Sequence, residues 1–399
     1  MTTTEFTVAN NVYDELALKL DIPAEKYIQA EERYTALAKH IQDNLTYGID
    51  LYPQGSFMLG TVVRPYVKGK EADYDVDLVC EIQILKEMST PQKIKHHIGD
   101  TLEIPPYKVL LDEEGRRCWT LNYKEEDNIG FHMDCLPCVP ESPNVSTQIA
   151  LTNKDKESGD YTWVSSNPRE LKKWFNERQK IAFSELAPKQ KRAIFESKAN
   201  IVYNSIEEIP DRCVKTPLQK VIQIFKRHRD VYFCNKHNED YKPISIIITI
   251  LSTFLYEQEL DTYEALKNII YKLQRYSKLF ENSNQHHSDY ITFDGATWEI
   301  LSPVVNENYA DRWHEDNHAR ARAFFEWVNQ LEDDLITPVE QRDMNRFHTL
   351  VENSLKSKVS SSYFNTYNAV SHNQENVIVP KPVITVTNPI KPWVKDAFS

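Results

Sequence analysis

No stretch of this sequence is apolar for long enough to cross a membrane. The most hydrophobic run, Ile244 to Leu255, falls well short of the ~20 residues a helical span needs, and it contains Ser and Thr. Positive charge is also scarce. There are 47 Lys and Arg against 59 Asp and Glu, a formal net charge of −12. A protein whose main task is gripping duplex nucleic acid shows a basic surface, so this balance argues against that class while leaving room for a local basic groove. The first residues, Met-Thr-Thr-Thr-Glu-Phe, lack a cationic region and an apolar core, so no secretion signal is expected. The six cysteines stand apart, at 80, 118, 135, 138, 213 and 234, as suits a reducing cytoplasm. No internal repeat is evident.

What remains is an ordinary globular composition, 41% hydrophobic and 27% charged over 399 residues, long enough for two lobes. Its most informative stretch runs from Gly55 to Asp77. Gly55-Ser56-Phe57-Met58-Leu59-Gly60-Thr61 is followed by a loop and then by Asp73-Tyr74-Asp75-Val76-Asp77-Leu78-Val79. The second part alternates polar and apolar residues, the period of a strand. Asp73, Asp75 and Asp77 therefore share one face, where carboxylates repel one another unless water or a cation lies among them. The Gly-Ser part offers backbone N–H groups and a hydroxyl, a plausible phosphate cradle. Taken singly, Gly-Ser is a common turn and Asp-x-Asp a common solvated strand end. A third element changes that reading. Ile129-Gly130-Phe131-His132-Met133-Asp134-Cys135-Leu136-Pro137 is another short strand, with Asp134 on the face that shows His132. Asp75, Asp77 and Asp134 would supply the oxygen ligands of a two-metal site, and oxygen-only ligation suits Mg²⁺.

The remaining elements are read in order. Residues 5–20 and 24–46 are expected as helices, the second with Tyr27, Tyr34, Leu37, Ile41 and Leu45 at helical spacing. Ile49 to Phe57 reads as a strand ending in the Gly-Ser turn, and 91–103 as a helix. Tyr107 to Asp112 and Arg116 to Tyr123 flank Glu113-Glu114-Gly115 as a hairpin. Pro137, Pro140 and Pro143 are expected to end the sheet near 145. Lys68 and Lys70 read as a solvated loop, with triphosphate contact as the alternative. Cys135 and Cys138 have zinc-ligand spacing, with Cys234 and His237 as partners in principle, but Cys135 directly follows Asp134 and buried free thiols are common. From about 160 onward the chain reads as helical. Asn167-Pro168 opens one helix and Thr216-Pro217 another, the latter with Lys220 and Lys226 to Arg229 opposite an apolar stripe. From 368 the density of Pro suggests an extended tail.

Gly55-Ser56, Asp75-Val76-Asp77 and a later Asp134 together resemble the pattern of the polymerase β-like nucleotidyltransferases. Residues 55–65 followed by 74–79 are similar to the bacterial branch related to cyclic GMP-AMP synthase, the CD-NTases of CBASS antiphage systems. The resemblance covers most of residues 1–360 and is most specific over 53–80 and 129–138. It implies an α+β, bilobal fold: a mixed-sheet catalytic lobe and a helical C-terminal lobe, with bracing helices over 1–48, the catalytic core at 49–145, the helical lobe at 160–360 and a tail at 361–399. It further implies a metal-dependent enzyme that uses Mg²⁺ or Mn²⁺ to join NTPs with release of pyrophosphate. The product would be a cyclic di- or trinucleotide signal, made in the cytoplasm without long nucleic acid. The rivals are linear 2′-5′ oligonucleotide synthesis, nucleotidylation of another acceptor, and a catalytically silent binding module. By resemblance, Asp75, Asp77 and Asp134 hold metal, Gly55 and Ser56 hold phosphate, and Lys226 and Ser245 match a Lys and a Ser that meet the donor triphosphate. Some members of the family work with regulatory proteins or are joined at the C-terminus to other proteins.

Overall fold

The structure is a computed structural model that describes residues 3–123, 130–142, 145–196, 205–207, 211–234, 236–281, 286–287 and 289–364. Two helices, α1 (Thr3–Leu20) and α2 (Ala24–Asn44), lead into strand β1 (Ile49–Gln54) and a five-residue helix, α3 (Gly55–Leu59). A small hairpin, β2 (Tyr66–Val67) and β3 (Lys70–Glu71), precedes the aspartate strand β4 (Tyr74–Ile82). After α4 (Pro91–Leu102) come β5 (Trp119–Tyr123), β6 (Phe131–Ser142), β7 (Val145–Lys154) and β8 (Tyr161–Ser166). Helices then dominate: α5 (Pro168–Arg178), α6 (Lys180–Glu196), α7 (Pro217–Phe233), α8 (Ser245–Leu255), α9 (Thr262–Glu281), α10 (Ala319–Leu335), α11 (Thr337–Glu340) and α12 (Met344–Leu355). Three short strands, β9 (His286–His287), β10 (Thr292–Phe293) and β11 (Trp298–Glu299), interrupt this run.

The strands β1, β4, β6, β7 and β8 form one sheet in that order, and β5 also pairs with β6. Only β4 and β6 run parallel; their neighbours are antiparallel. The class is α+β with a mixed sheet. Two hydrophobic cores explain the two lobes. In the first, the sheet buries Val76, Leu78, Cys80, Met133 and Cys135 against α2 and α4, through Ala30, Leu37, Ile41, Ile94 and Ile98. In the second, α7 to α12 pack around Phe225, Leu266, Trp327 and Phe347.

Several expectations change here. The sheet does not end near 145. β6 carries Pro137 and Pro140 within it, the register shifts between Pro140 and Ser142, and β7 and β8 extend the sheet to Ser166. A proline removes one donor only, and an irregularity of this kind absorbs the loss. The hairpin before β5 is reduced to one bridge, Leu111 to Leu121, because Tyr107–Val109 coils into a 3₁₀ turn. The two N-terminal helices do not act together: α2 braces the sheet, whereas α1 buries Val8, Val12, Tyr13 and Leu16 in the helical core. Residues 361–364 form a helical turn whose Tyr363 and Phe364 pack on that same core, and the extended tail expected beyond them lies outside the described residues. Among the described residues, no helix is long and apolar enough to cross a membrane.

Candidate active site

The parallel register of β4 and β6 assembles the site. Asp75 lies opposite His132 and Asp77 opposite Asp134, while Gln54 on β1 faces Asp77 from the other side. Directly opposed residues in neighbouring strands project to the same face. Asp75, Asp77 and Asp134 therefore share one face of the sheet: alternation places the first two together, and the β4–β6 register adds the third. β5 adds a partner that no spacing in the sequence reveals. Thr120 pairs with Asp134 in register, and its hydroxyl donates to Asp134 Oδ1 at 2.6 Å. The sequence signal is a bare Thr in an alternating strand, and only the β5–β6 pairing gives it a role.

The electrostatics follow from crowding like charges. Burial raises the Asp77 carboxyl to about 7, and the Asp134 and Asp75 carboxylates push it the same way. Asp134 is also raised, chiefly by burial, with the Thr120 hydrogen bond acting against it. Beside it, the Cys118 thiol is pushed up to about 12 by burial and by Asp134. Asp75 is more open and turns to His132, whose Nδ1 is 3.4 Å from its Oδ1. That contact raises the His132 pKa, with Asp73 adding to the effect from 3.7 Å.

The Gly-Ser segment abuts this cluster. Gly55 has φ +63°, a conformation side-chain-bearing residues rarely adopt, and a Cβ placed there would lie 2.3 Å from Asp77 Oδ2. Glycine is needed twice over. Residues 55–59 then coil into α3, and Gln54 at its N-cap makes no side-chain bond to the first amides.

The basic run on α7 is not a solvated face. Lys226 to Arg229 are all buried, each with its own partner. Lys226 Nζ donates to the Thr61 carbonyl at 3.1 Å and to its hydroxyl at 3.2 Å. Burial lowers its pKa to about 7, Arg229 adds to that, and Asp230 and Asp77 oppose it. Arg227 bonds Arg64 O and Glu71, and His228 meets Asp334 at 3.1 Å. The Ser245 hydroxyl accepts from Arg229 at 2.9 Å, and the charge of that same Arg229 acts on Lys226. Lys226 is thus brought to the end of the Gly-Ser segment, and Ser245 is linked to it through Arg229.

The oxygen-only donors at Asp75, Asp77 and Asp134 fit a hard divalent cation. Asp77 is raised first by burial and then by the neighbouring carboxylates, and a cation there would relieve both. In the geometry as it stands, Asp75 is drawn to His132 and Asp134 to Thr120. Among the described residues, no group of three or more His, Cys, Asp and Glu is gathered closely enough to hold a metal. A zinc site on Cys135 and Cys138 is not formed. Three residues apart on one strand, the two thiols point to opposite faces and are buried in different clusters.

No profile of a described protein family matches the chain. It is 26% identical over 351 residues to a c-di-GMP synthase of Roseivirga ehrenbergii, an alignment covering 86% of this chain and 81% of the relative. It is 25% identical over 238 residues to the cyclic dinucleotide synthase CdnG of Bradyrhizobium diazoefficiens, 56% of this chain and 54% of that one. In three dimensions it superposes on the Bradyrhizobium diazoefficiens CD-NTase CdnG in complex with GTP with a TM-score of 0.63 at 19% identity, covering 87% of this chain and 98% of the other. Escherichia coli DncV in its 3′-deoxy GTP bound form follows at a TM-score of 0.52 and 17% identity, covering 89% and 85%.

Proposed function

We propose that this chain, a nucleotidyltransferase with the CD-NTase fold, joins two or more NTPs into a cyclic oligonucleotide and releases pyrophosphate at each step. The observation that carries the reading is the meeting of the Gly55 turn with Asp77 Oδ2, opposite Asp134. It sets a phosphate-binding backbone against a trio of carboxylates. Ser56 and the first amides of α3 take the β- and γ-phosphates of the donor NTP. Asp75, Asp77 and Asp134 would hold divalent metal, Mg²⁺ or Mn²⁺, which when bound supplies charge neutralisation and a more acidic acceptor hydroxyl. The carboxylates fix where that charge sits, and the turn fixes the triphosphate beside them. The acceptor, a ribose hydroxyl of a second nucleotide, attacks the α-phosphorus in line and pyrophosphate leaves. Lys226, one residue cluster away through Thr61, adds positive potential on the phosphate side. Asp77 stands charged most readily when that positive charge and a cation are both near, which couples phosphate and metal occupancy.

The product would act as an alarm signal in antiphage defence, alongside regulatory or conjugating protein partners. The test is direct. Each labelled NTP, singly and mixed, is incubated with the protein and Mg²⁺, and products are chromatographed before and after phosphatase. A phosphatase-resistant product with one pyrophosphate per bond is expected, abolished by a chelator and restored by Mg²⁺ or Mn²⁺. A product with a removable terminal phosphate would make the enzyme a linear oligonucleotide synthetase. Release of orthophosphate alone, or indifference to the chelator, would overturn the assignment.

A further inference from the structure

The segment that follows α3 has no strand partner, yet its carbonyls are met almost one after another by a single helix. Gln219 Nε2 donates to Leu59 O at 2.9 Å, Lys226 Nζ to Thr61 O at 3.1 Å, Gln223 Nε2 to Val62 O at 2.7 Å and Arg227 to Arg64 O at 2.9 Å. Lys215, just ahead of the helix, donates to Gly60 O at 2.8 Å. Residues 219, 223, 226 and 227 lie three or four apart on α7 and so share one face. Gly60 is shaped to this contact: a Cβ there would lie 2.7 Å from Gln219 Nε2. The helix belongs to the other core, with Leu218, Val221, Ile222 and Phe225 fully buried in it.

We infer that Gln223 is a positioning residue: with its neighbours on α7 it sets where the Gly55–Thr61 turn lies relative to Asp77, and through that turn the affinity for the donor's β- and γ-phosphates. Gln223 is 1% exposed, and its amide donates to Val62 O rather than to a carboxylate or to the Gly-Ser residues. Its side-chain oxygen has no partner, so Val62 O is the one bond it is placed to make. Residues 59–64 join the two cores: Val62 is buried with the sheet and Leu59 and Val63 with the helices, while the β1–β4 pairing ahead of them ends at Gln54 and Asp77. Apolar packing holds this segment in place without directing its carbonyls, whereas the α7 donors fix the backbone's orientation, and phosphate hydrogen bonds are sensitive to shifts of a fraction of an ångström.

The inference rests on the nucleotidyltransferase reading, and its test separates the two. Binding of a non-hydrolysable NTP and of the matching nucleoside monophosphate is measured with Mg²⁺ on the full chain, for the wild type, Gln223→Met and Gln223→Glu. Both substitutions keep the side chain's length and remove its donor. The expected result is a loss of about tenfold in NTP affinity with little change for the monophosphate, which lacks the phosphates the turn holds. kcat should fall in step, and urea unfolding should confirm that the variants are folded. Equal losses for both ligands would mark a merely structural residue and overturn the inference. So would two variants that bind NTP like the wild type. A wild type that makes no pyrophosphate and binds neither nucleotide would sink the functional reading itself, and this one with it.

Discussion

Gly55→Ala tests the geometry at its tightest point, and Gly69→Ala provides its control. Both glycines are left-handed, at φ +63° and +83°. Placing an alanine in that region costs about 1–2 kcal/mol at either position. They differ in what the new methyl meets. At residue 69 there is nothing within 4 Å, whereas at residue 55 Asp77 Oδ2 lies 2.3 Å away. A carboxylate oxygen is the free end of a side chain and can swing aside, so the clash itself adds little to the loss of stability. Its cost falls on function, because the carboxylate that swings aside is the one opposite Asp134. Losing an interaction with a charged group of about 1.5–3 kcal/mol lowers the rate roughly ten- to a hundredfold. Urea unfolding should therefore show similar losses for the two variants, while pyrophosphate release falls at least tenfold in Gly55→Ala alone. If both variants lose activity alike, or if Gly55→Ala turns over like the wild type, the contact with Asp77 does not matter and the site has been misread.

Three further outcomes are expected. Asp77 has a carboxyl raised to about 7, so in metal-free buffer its contribution to stability is full below the ordinary aspartate range and is lost as pH rises through about 7; Asp77→Asn should be no less stable than the wild type at pH 8, show a smaller relative advantage at pH 5, and release no pyrophosphate at either pH. A wild type markedly more stable than this variant at pH 8 would contradict the crowding of carboxylates. Lys226→Ala should raise KM for NTP and lower kcat by about tenfold or more, whereas Lys220→Ala, which loses a 2.7 Å pair with Asp14 across the helical core, should change neither by more than about twofold; equal effects at the two positions would remove Lys226 from the site. Duplex DNA or RNA at ~150 mM salt should not stimulate the enzyme, since phosphate affinity draws on released counterions and this chain carries a net charge of −12; strong stimulation would point to a basic groove the composition hides.

Local periodicity was enough to place the carboxylates. A strand turns every second side chain to one face whatever surrounds it, so Asp75 and Asp77 were bound to lie together, and the apolar residues between them were bound to enter a core. Helix starts at Pro91, Pro168 and Pro217 were likewise readable, because N-caps and proline act within a single turn. The partners of these groups were not readable. That Asp134 stands opposite Asp77 with Thr120 behind it depends on strand register, which is decided by how whole faces bury. Helical spacing left the basic run of α7 open between a solvated face and a site, because it reports only which residues share a side, not what covers it. Carbonyls at 59–64, Glu71 and Asp334 cover it here, supplied by segments up to 165 residues away in the chain. A buried cation is tolerable only where such acceptors are waiting, and their presence is a property of the folded molecule.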